Sequence, residues 1–557
     1  MKFGDTPVGD SEGAILAHSV RLGKKVFKKG RVLNADDVAA LGEAGIVTIV
    51  TARLDAGDVG EDDAASRIAQ AACGENVSGS AAFTGRCNLF AATQGVLVVD
   101  HARLDAMNLI DEAVTIATVP PFALVSPRDM LATIKVIPFA APGDVVERCA
   151  AIAAEGASLL RIAPLRPIAA GLVLTSTPGM KESILERTAE VTRGRIEALG
   201  GTLAPDHVIR CGHNEDEVAA ALARLRDAGC GLVMACGASA IVDRRDVIPA
   251  AITRIGGEID HFGMPVDPGN LMLMAHSGDI AMLGLPGCAR SPSFNGFDWI
   301  LQRLFAGLPL GAGEVMRMGA GGLLKEIAAR PLPRVAAVSG AEAAVPRAPR
   351  IAAIILAAGQ SRRMGRVNKL LADIDGAPMI AGIADAVLAS SAAPVVVVTG
   401  FEPDRVRAAL AGREVTSVHN AQFADGLSTS LKCAIKALDD GGDGAIDGAV
   451  VCLGDMPGVS AAHIDKLTAA FDPVEGRGIC VPTFNGKRGN PVLWDRRYFG
   501  AISEVAGDVG ARHLIGEHAD AVCEVAMGDD GVLADLDTPA ALAAHKAARE
   551  ANEASKA

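Results

Sequence analysis

Aromatic residues are scarce in this chain. Its 557 residues include 15 Phe, 2 Trp and 1 Tyr, too few for a platform on which nucleobases stack. Positive charge is also in deficit, with 53 Lys plus Arg against 66 Asp plus Glu and a formal net charge of −13. A polyanion is repelled over most of such a surface, which argues against a nucleic-acid partner and makes any phosphate site depend on locally concentrated cations. Long apolar runs are missing too. Half of the residues are hydrophobic, yet none of the runs approaches the ~18 residues of a membrane-spanning helix, so no membrane association is expected. Met1 to Asp10 carries two Asp, two Gly and a Pro where a signal or transit peptide needs an apolar or Arg-rich core, so a cytoplasmic location is expected. The 11 Cys include no C-x-x-C pair and no His pair at zinc spacing, which points to reduced thiols rather than disulfides or structural zinc.

The length predicts two to four domains. Pro331, Pro333, Pro346 and Pro349 interrupt a weakly periodic Ala/Val-rich stretch, which reads as a linker over 329–349. We therefore divide the chain into an accessory α/β region (1–165), a second domain (166–328), the linker, a third domain (350–545) and a tail (546–557). In 1–165 the residues around Leu33 to Leu41 read as a helix and Ile46 to Val50 as a strand, while the order of elements is not legible. From Ala170 the pattern is regular. Gly171 to Leu174 reads as a buried strand, Pro178 as the start of a helix with Ile184, Val191 and Ala198 at sevens and Leu185, Ala189 and Ile196 beside them, and Gly200-Gly201 as its stop. A strand at His207 to Cys211, a helix ended by Gly229 and a strand at Gly231 to Ala235 follow. The third domain repeats the rhythm with strands at Ile351 to Leu356, Pro394 to Val398 and Ala449 to Leu453. Strand, helix, strand in this order implies two doubly wound parallel sheets of the α/β class, whose ligands sit at the carboxyl ends of strands.

The densest chemistry follows the first strand of the third domain. Leu356, Ala357, Ala358, Gly359, Gln360, Ser361, Arg362, Arg363, Met364 and Gly365 run on to Lys369. Small residues let backbone N–H groups approach phosphate oxygens, and Arg363 and Lys369 supply the charge a triphosphate requires. The stretch is neither a P-loop nor a dinucleotide fingerprint, and a basic solvated loop is the alternative. Asp455 follows the strand ending at Leu453, where a hard oxygen ligand suits Mg²⁺, although Gly-Asp-Met-Pro is also a turn sequence.

At these residues the sequence resembles the molybdenum cofactor nucleotidyltransferases, whose pattern is L-A-[AG]-G-x-S-x-R-M-G with a following Lys. The match continues through Gly426 and Ser430, Gly454 to Pro457, Arg488 to Pro491, Gly507 to Arg512 and Asp535 to Pro539, covering roughly 350–545. Ala-Ala-Gly is similar to the cytidylyl branch, where the guanylyl branch carries Ala-Gly-Gly. The resemblance implies binding of CTP by Leu356, Ala357, Ala358, Gly359, Ser361, Gly365 and Ser430, and catalysis by Arg363, Lys369 and Asp455. It also implies Mg²⁺ held by Asp455 and Asp537, with Asp535 competing for the second place, and pterin contacts from Asn490, Asp508 and Arg512. The implied reaction is attack of the terminal phosphate of molybdopterin on the α-phosphorus of CTP with loss of pyrophosphate.

In the second domain, Cys236-Gly237-Ala-Ser239 follows a strand, Asp243-Arg-Arg-Asp246 opens a helix, and Gly284-Leu-Pro286-Gly287 forms a later loop. In this order the loops resemble the molybdopterin-binding domain of molybdopterin adenylyltransferases and molybdenum insertases, patterned G-G-x-S-x-G, Asp, then L-P-G-N-P. Cys236 replaces the first Gly, and Cys288-Ala289 stand where Asn-Pro is expected. The resemblance implies pterin contacts from Gly237, Ser239, Asp243, Asp246, Pro286 and Gly287, while Asp243 to Asp246 also reads as a surface charge cluster at a helix start. Lys28-Lys29-Gly-Arg31 reads as a solvated basic turn. The expected whole is a pterin-binding front half fused to a cytidylyltransferase, with a molybdoenzyme or its maturation chaperone as a partner. A guanylyltransferase, a cytidylyltransferase of a sugar or polyol phosphate and a non-catalytic pterin carrier are the alternatives.

Overall fold

The computed structural model describes residues 1–23, 25–324, 347–360, 368–374, 376–440, 446–505 and 511–533. The expectations for the linker core and the tail lie outside them. No helix among the described residues is long and apolar enough to cross a membrane.

Residues 1–53 fold around Leu16, Phe27, Leu33 and Leu41, with a helix at Ala35–Glu43 whose start is fixed by an Asn34/Asp37 capping box. The strand Thr48–Arg53 lies between Lys2–Pro7 and Ile15–Leu16, antiparallel to both. A second core around Ile68, Leu97, Leu131, Ile134 and Val146 belongs to the next stretch of chain. There the strands Val114–Thr118, Met130–Val136, Arg86–Ala91 and Val77–Gly79 make an antiparallel sheet beside the helices Glu61–Ala72 and Gly143–Ala154.

The next unit contains β1 (Ala170–Ser176), β2 (Val208–Gly212), β3 (Leu232–Cys236), β4 (Glu258–Phe262), β5 (Leu273–Ser277) and β6 (Ile280–Leu285), in the sheet order β2-β1-β3-β6-β5-β4. Strands β2, β1, β3 and β6 are mutually parallel. Helices α1 (Glu182–Ala198) and α4 (Gly296–Phe305) cover one face through Leu185, Ile196, Phe297 and Phe305. Helices α2 (Glu215–Asp227) and α3 (Val247–Arg254) cover the other through Val218, Leu222, Ile248 and Ile252. Two sequence expectations are corrected here. Helix α1 starts at Glu182, because Gly179 takes a positive φ of 91° and Met180 N–H bonds Thr177 O at 3.1 Å. Pro178 thus sits in a turn rather than at a helix start. The buried stripe of α1 is Leu185, Ala189 and Ile196, while Ile184 is 39 % exposed.

The C-terminal sheet holds β7 (Ile351–Ala357), β8 (Val395–Thr399), β9 (Thr416–His419), β10 (Gly448–Leu453), β11 (Ile479–Phe484), β12 (Lys487–Arg488), β13 (Val492–Asp495) and β14 (Val522–Ala526). Its order is β9-β8-β7-β10-β13-β11-β12, with β14 beside β11. Every residue of β7 is buried. Ile351, Ala353 and Ile355 face one core, with α5 (Met379–Leu388) and α7 (Ala461–Ala470). Ile354 and Leu356 face another, with α6 (Leu427–Asp440). A strand covered on both faces has no polar side, which is why it reads as a continuous apolar run. In both units the α/β class stands, but the sheet is mixed rather than wholly parallel: β5 and β4 run antiparallel beside β6, and β13 runs antiparallel to both β10 and β11. Gly278, at φ 61°, closes the tight turn between β5 and β6 that makes that pair antiparallel.

Residues 347–350 join the C-terminal unit to the second core. Arg347 forms a fork with Asp447 at 2.8 and 2.9 Å, and Ala348 N–H bonds Arg128 O at 2.9 Å. Lys28 reaches Val522 O at 3.0 Å, so the basic turn of the first unit touches the C-terminal sheet instead of being only solvated.

Candidate active site

The carboxyl ends of β7 and β10 are neighbours, because the two strands pair in parallel from Ile351↔Gly448 to Leu356↔Leu453. Gly454 N–H bonds Leu356 O at 3.0 Å, so the two following loops leave the sheet side by side. A Cβ at Gly454 would lie 3.0 Å from Leu356 O, which favours a residue without one. From this platform Asp455 meets Lys369, at the start of the short turn Lys369–Leu371, in a direct charged hydrogen bond. Their side chains are 17 % and 13 % exposed. Asn368 is buried, its Oδ1 accepts from Leu370 N–H at 3.2 Å, and its Nδ2 has no hydrogen-bond partner.

A second polar group sits at the ends of β8 and β9. Asn420 N–H bonds Thr399 O at 2.8 Å, and its Nδ2 donates to Thr429 Oγ1 at 2.9 Å and Ser430 Oγ at 3.0 Å. Ser430 is thereby held, buried, in the first turn of α6. Sequence reasoning missed Asn420, which follows the short polar strand Thr416–His419 and so carries no signal in its neighbours. Gly400 lets the adjacent loop pass Ala358, since a Cβ there would lie 2.8 Å from Ala358 O and 2.5 Å from Phe423 Cβ.

Leu356 and Ala357 end β7, Ala358 is buried, and Gly359 has open space where a Cβ would stand. Asn490 donates its backbone N–H to Val532 O at 2.9 Å. Arg512, exposed at the start of the helix Arg512–Glu517, forms no ion pair with Asp455. Ser361, Arg363, Gly365, Asp508, Asp535 and Asp537 lie outside the described residues. Among the described residues no group of three or more His, Cys, Asp or Glu is placed to hold a metal. Among the described residues at the ends of β7 and β10, Asp455 offers the carboxylate, a hard oxygen donor that fits Mg²⁺, an ion commonly held by one or two carboxylates plus substrate phosphates. Burial pushes the Cys452 thiol of β10 up to about 12, leaving it inert as a nucleophile.

In the front half, Gly237 follows β3, and a Cβ there would lie 2.6 Å from Ser239 O. Ala238 N–H donates to Thr175 Oγ1 at 2.7 Å, which also bonds His213 Nδ1 at 2.8 Å. Asp246 is the N-cap of α3, accepting from Val247 N–H at 2.8 Å and Val242 N–H at 3.2 Å. Asp243 pairs with Arg245 at 2.8 Å on the surface. Pro286 is buried, whereas Ser239 and Gly287 are exposed. The loop after β6 is fastened by Arg195, which donates to Ala289 O at 2.9 Å and Ser291 O at 2.7 Å and pairs with Asp298 at 2.7 Å.

The family model described as MobA-like NTP transferase domain matches residues 353–522, the span that carries Lys369 and Asp455. The purine catabolism protein PucB of Bacillus subtilis is 30 % identical over 203 residues, 35 % of this chain and 94 % of that protein. The C-terminal part of this chain belongs to the MobA-like NTP transferase family. The molybdenum cofactor cytidylyltransferase of Escherichia coli is 27 % identical over 189 residues, 33 % of this chain and 90 % of the relative. The match to the bifunctional protein GlmU of Sorangium cellulosum, 30 % identical over 31 % of this chain, spans about a third of that longer protein's length. Among solved structures, the Mycobacterium tuberculosis rv0371c homolog from Mycobacterium sp. strain JC1 is similar at 28 % identity and a TM-score of 0.31, over 36 % of this chain and 96 % of that one. Residues 5–53 match a model described only as a domain of unknown function, DUF8806. The transferase domain is thus a nucleotidyltransferase domain, with its charged pair at the strand ends where such sheets bind ligands.

Proposed function

We propose that the transferase domain moves CMP from CTP to the terminal phosphate of molybdopterin, or of its molybdenum-loaded form, and releases pyrophosphate. The observation that carries this reading is the Lys369–Asp455 contact across the ends of β7 and β10. Support for the acceptor comes from the relative named molybdenum cofactor cytidylyltransferase, and support for CTP from the resemblance of Ala357-Ala358-Gly359 to the cytidylyl branch.

The substrate pair sets the chemical problem, because two anions must approach each other. An acceptor phosphate oxygen attacks the α-phosphorus, the bond to the bridging oxygen breaks, and pyrophosphate carries the electron pair away. Lys369 neutralises charge on the triphosphate as that bond weakens, and we assign Arg363 the same task. Such catalysis is positioning and electrostatics, with no covalent enzyme intermediate. Asp455, with Asp537 as the second carboxylate, would hold Mg²⁺, which when bound neutralises phosphate oxygens and aligns the leaving group. Ser361, Gly365 and Ser430 complete the nucleotide side in this reading, with Asn490, Asp508 and Arg512 on the pterin side.

For the front half we propose pterin binding at the ends of β3 and β6. The support is the order of its two loops and the exposure of Ser239 and Gly287 there. A molybdoenzyme or its maturation chaperone is the proposed recipient of the product.

Pyrophosphate release is the test, measured with Mg²⁺ and each of CTP, GTP and ATP, with and without molybdopterin. Release that requires CTP and molybdopterin together is expected. Release with GTP, or with a sugar or polyol phosphate as acceptor, would replace the proposed substrate pair, and silence with every nucleotide would contradict transfer.

A further inference from the structure

A cavity of about 1270 Å³ lies between the antiparallel sheet of the second core and the amino-terminal edge of the transferase sheet. It is larger than the ~300–1,000 Å³ common for small-molecule sites. Arg128, Phe90 and Met130 line it from one side, and Lys466, Thr468 and Phe471 from the other. Ile351 and Pro394, at the starts of β7 and β8, also border it. Lys369 and Asp455 stand at the opposite ends of these strands, roughly 20 Å away for a seven-residue strand at ~3.3 Å per residue. The cavity is therefore not the transferase site.

Its wall carboxylates are already engaged. Asp62 accepts from Gly85 N–H at 2.7 Å, Asp63 pairs with Arg67, Asp465 accepts from Ser391 N–H and Oγ–H at 2.8 and 2.7 Å, and Asp472 pairs with Arg477 at 3.1 Å. Two wall cations are not matched in this way. Among the described residues, neither Arg128 nor Lys466 has a carboxylate within ion-pair distance. Among the described residues the Arg128 guanidinium donates only to Ala348 O, and burial together with neighbouring Arg347 and Arg350 holds it below the usual arginine range, against the opposing pull of Asp447. Its backbone is also held at a φ of 77°, a conformation that costs energy for a residue with a side chain and that recurs at ligand sites. Two further wall groups, Asn88 Oδ1 from one unit and Thr468 Oγ1 from the other, are buried and lack any hydrogen-bond partner. Buried polar atoms are rarely left unsatisfied.

We propose that this cavity is a second ligand site, for an organic phosphate with an apolar body. A guanidinium fork and an ammonium match a phosphate dianion. Phe90, Met130 and Phe471 cover the apolar part, while Asn88 and Thr468 take hydrogen-bonding groups of the ligand. Because Arg128 and Lys466 come from different units, the bound phosphate bridges them and ties the front of the chain to the transferase domain.

Titration calorimetry on the full chain tests this, with 1-naphthyl phosphate and inorganic phosphate as probes. Naphthyl phosphate is expected to bind saturably at one site per chain, more tightly than inorganic phosphate, and equally well to the Lys369→Ala variant, whose transferase site is impaired. Arg128→Asn removes the cation with a residue that accepts a positive φ, and Lys466→Gln removes the other from the face of α7. Each is expected to weaken binding by about tenfold or more, as loss of a charge-assisted hydrogen bond does. Should Arg128→Asn fail to fold, Lys466→Gln decides alone. The proposal is overturned by absence of saturable binding, by binding indifferent to both cations, or by binding that Lys369→Ala abolishes while Arg128→Asn spares it.

Discussion

The second and third domains both carry glycine-bearing loops at the carboxyl ends of parallel strands, yet they deploy charge differently there. In the transferase domain, Lys369 and Asp455 meet from loops 86 positions apart. In the front half, Asp246 bonds backbone groups at 242 and 247, and Asp243 bonds Arg245. Local hydrogen bonds of the second kind fix a turn and start a helix. A contact between distant loops exists only because the sheet brings them together, and it places opposite charges at one point without serving any local turn. Similar glycine-bearing loops on similar sheets thus hold their charges through local bonds in one place and through a long-range contact in the other.

The largest effect that would sharpen this contrast is on the rate. Asp455→Asn is expected to lower nucleotidyl transfer by about 10²–10³-fold, and Lys369→Met similarly, in line with loss of one transition-state electrostatic partner. Thermal unfolding should stay near that of the parent, and a loss below about tenfold would break the contrast. Gly400→Ala comes next. Its Cβ would meet Phe423 Cβ at 2.5 Å, and overpacking of this kind costs ~1–3 kcal/mol, read by urea unfolding of the transferase domain. Asn420→Ala removes the donor to Thr429 and Ser430, and unsatisfied buried partners cost ~1–3 kcal/mol. We expect a higher KM for CTP with a smaller change in kcat, separating Asn420 from Asp455. The smallest effects belong to the front half. Asp246→Ala should cost about 1 kcal/mol of stability through the lost cap. Asp243→Ala should leave stability within about 0.5 kcal/mol while weakening molybdopterin binding. An Asp243→Ala chain that binds molybdopterin unchanged would confine that carboxylate to the surface.

What was legible in the sequence follows from the same distinction. Strands β7 and β8 stood out because both of their faces are covered, leaving unbroken runs such as Ile351 to Leu356 and Val395 to Val398. Strand β4, Glu-Ile-Asp-His-Phe, lies at a sheet edge with no fully buried residue, so nothing in its composition marks it as part of a core. The start of α1 was misplaced because Pro178 suits both a turn and a helix start, and only the backbone of Gly179 decides between them. In the candidate site, Asp455 carries the signal of a strand end followed by a turn. Asn420 carries none beyond its position, because its role depends on α6 packing back to bring Ser430 within reach. The positive φ of Arg128 and the cavity it faces are likewise invisible along the chain, since the first belongs to a local turn and the second forms only where two stretches of chain meet.

The measurement that bears most directly on the central claim is transfer of radiolabel from [α-³²P]CTP to molybdopterin by the full chain and by its Asp455→Asn variant, side by side. The account predicts labelled cytosine dinucleotide with the parent protein and a loss of about 10²–10³-fold in the variant. Equal labelling by the two proteins, or none by either, would contradict it.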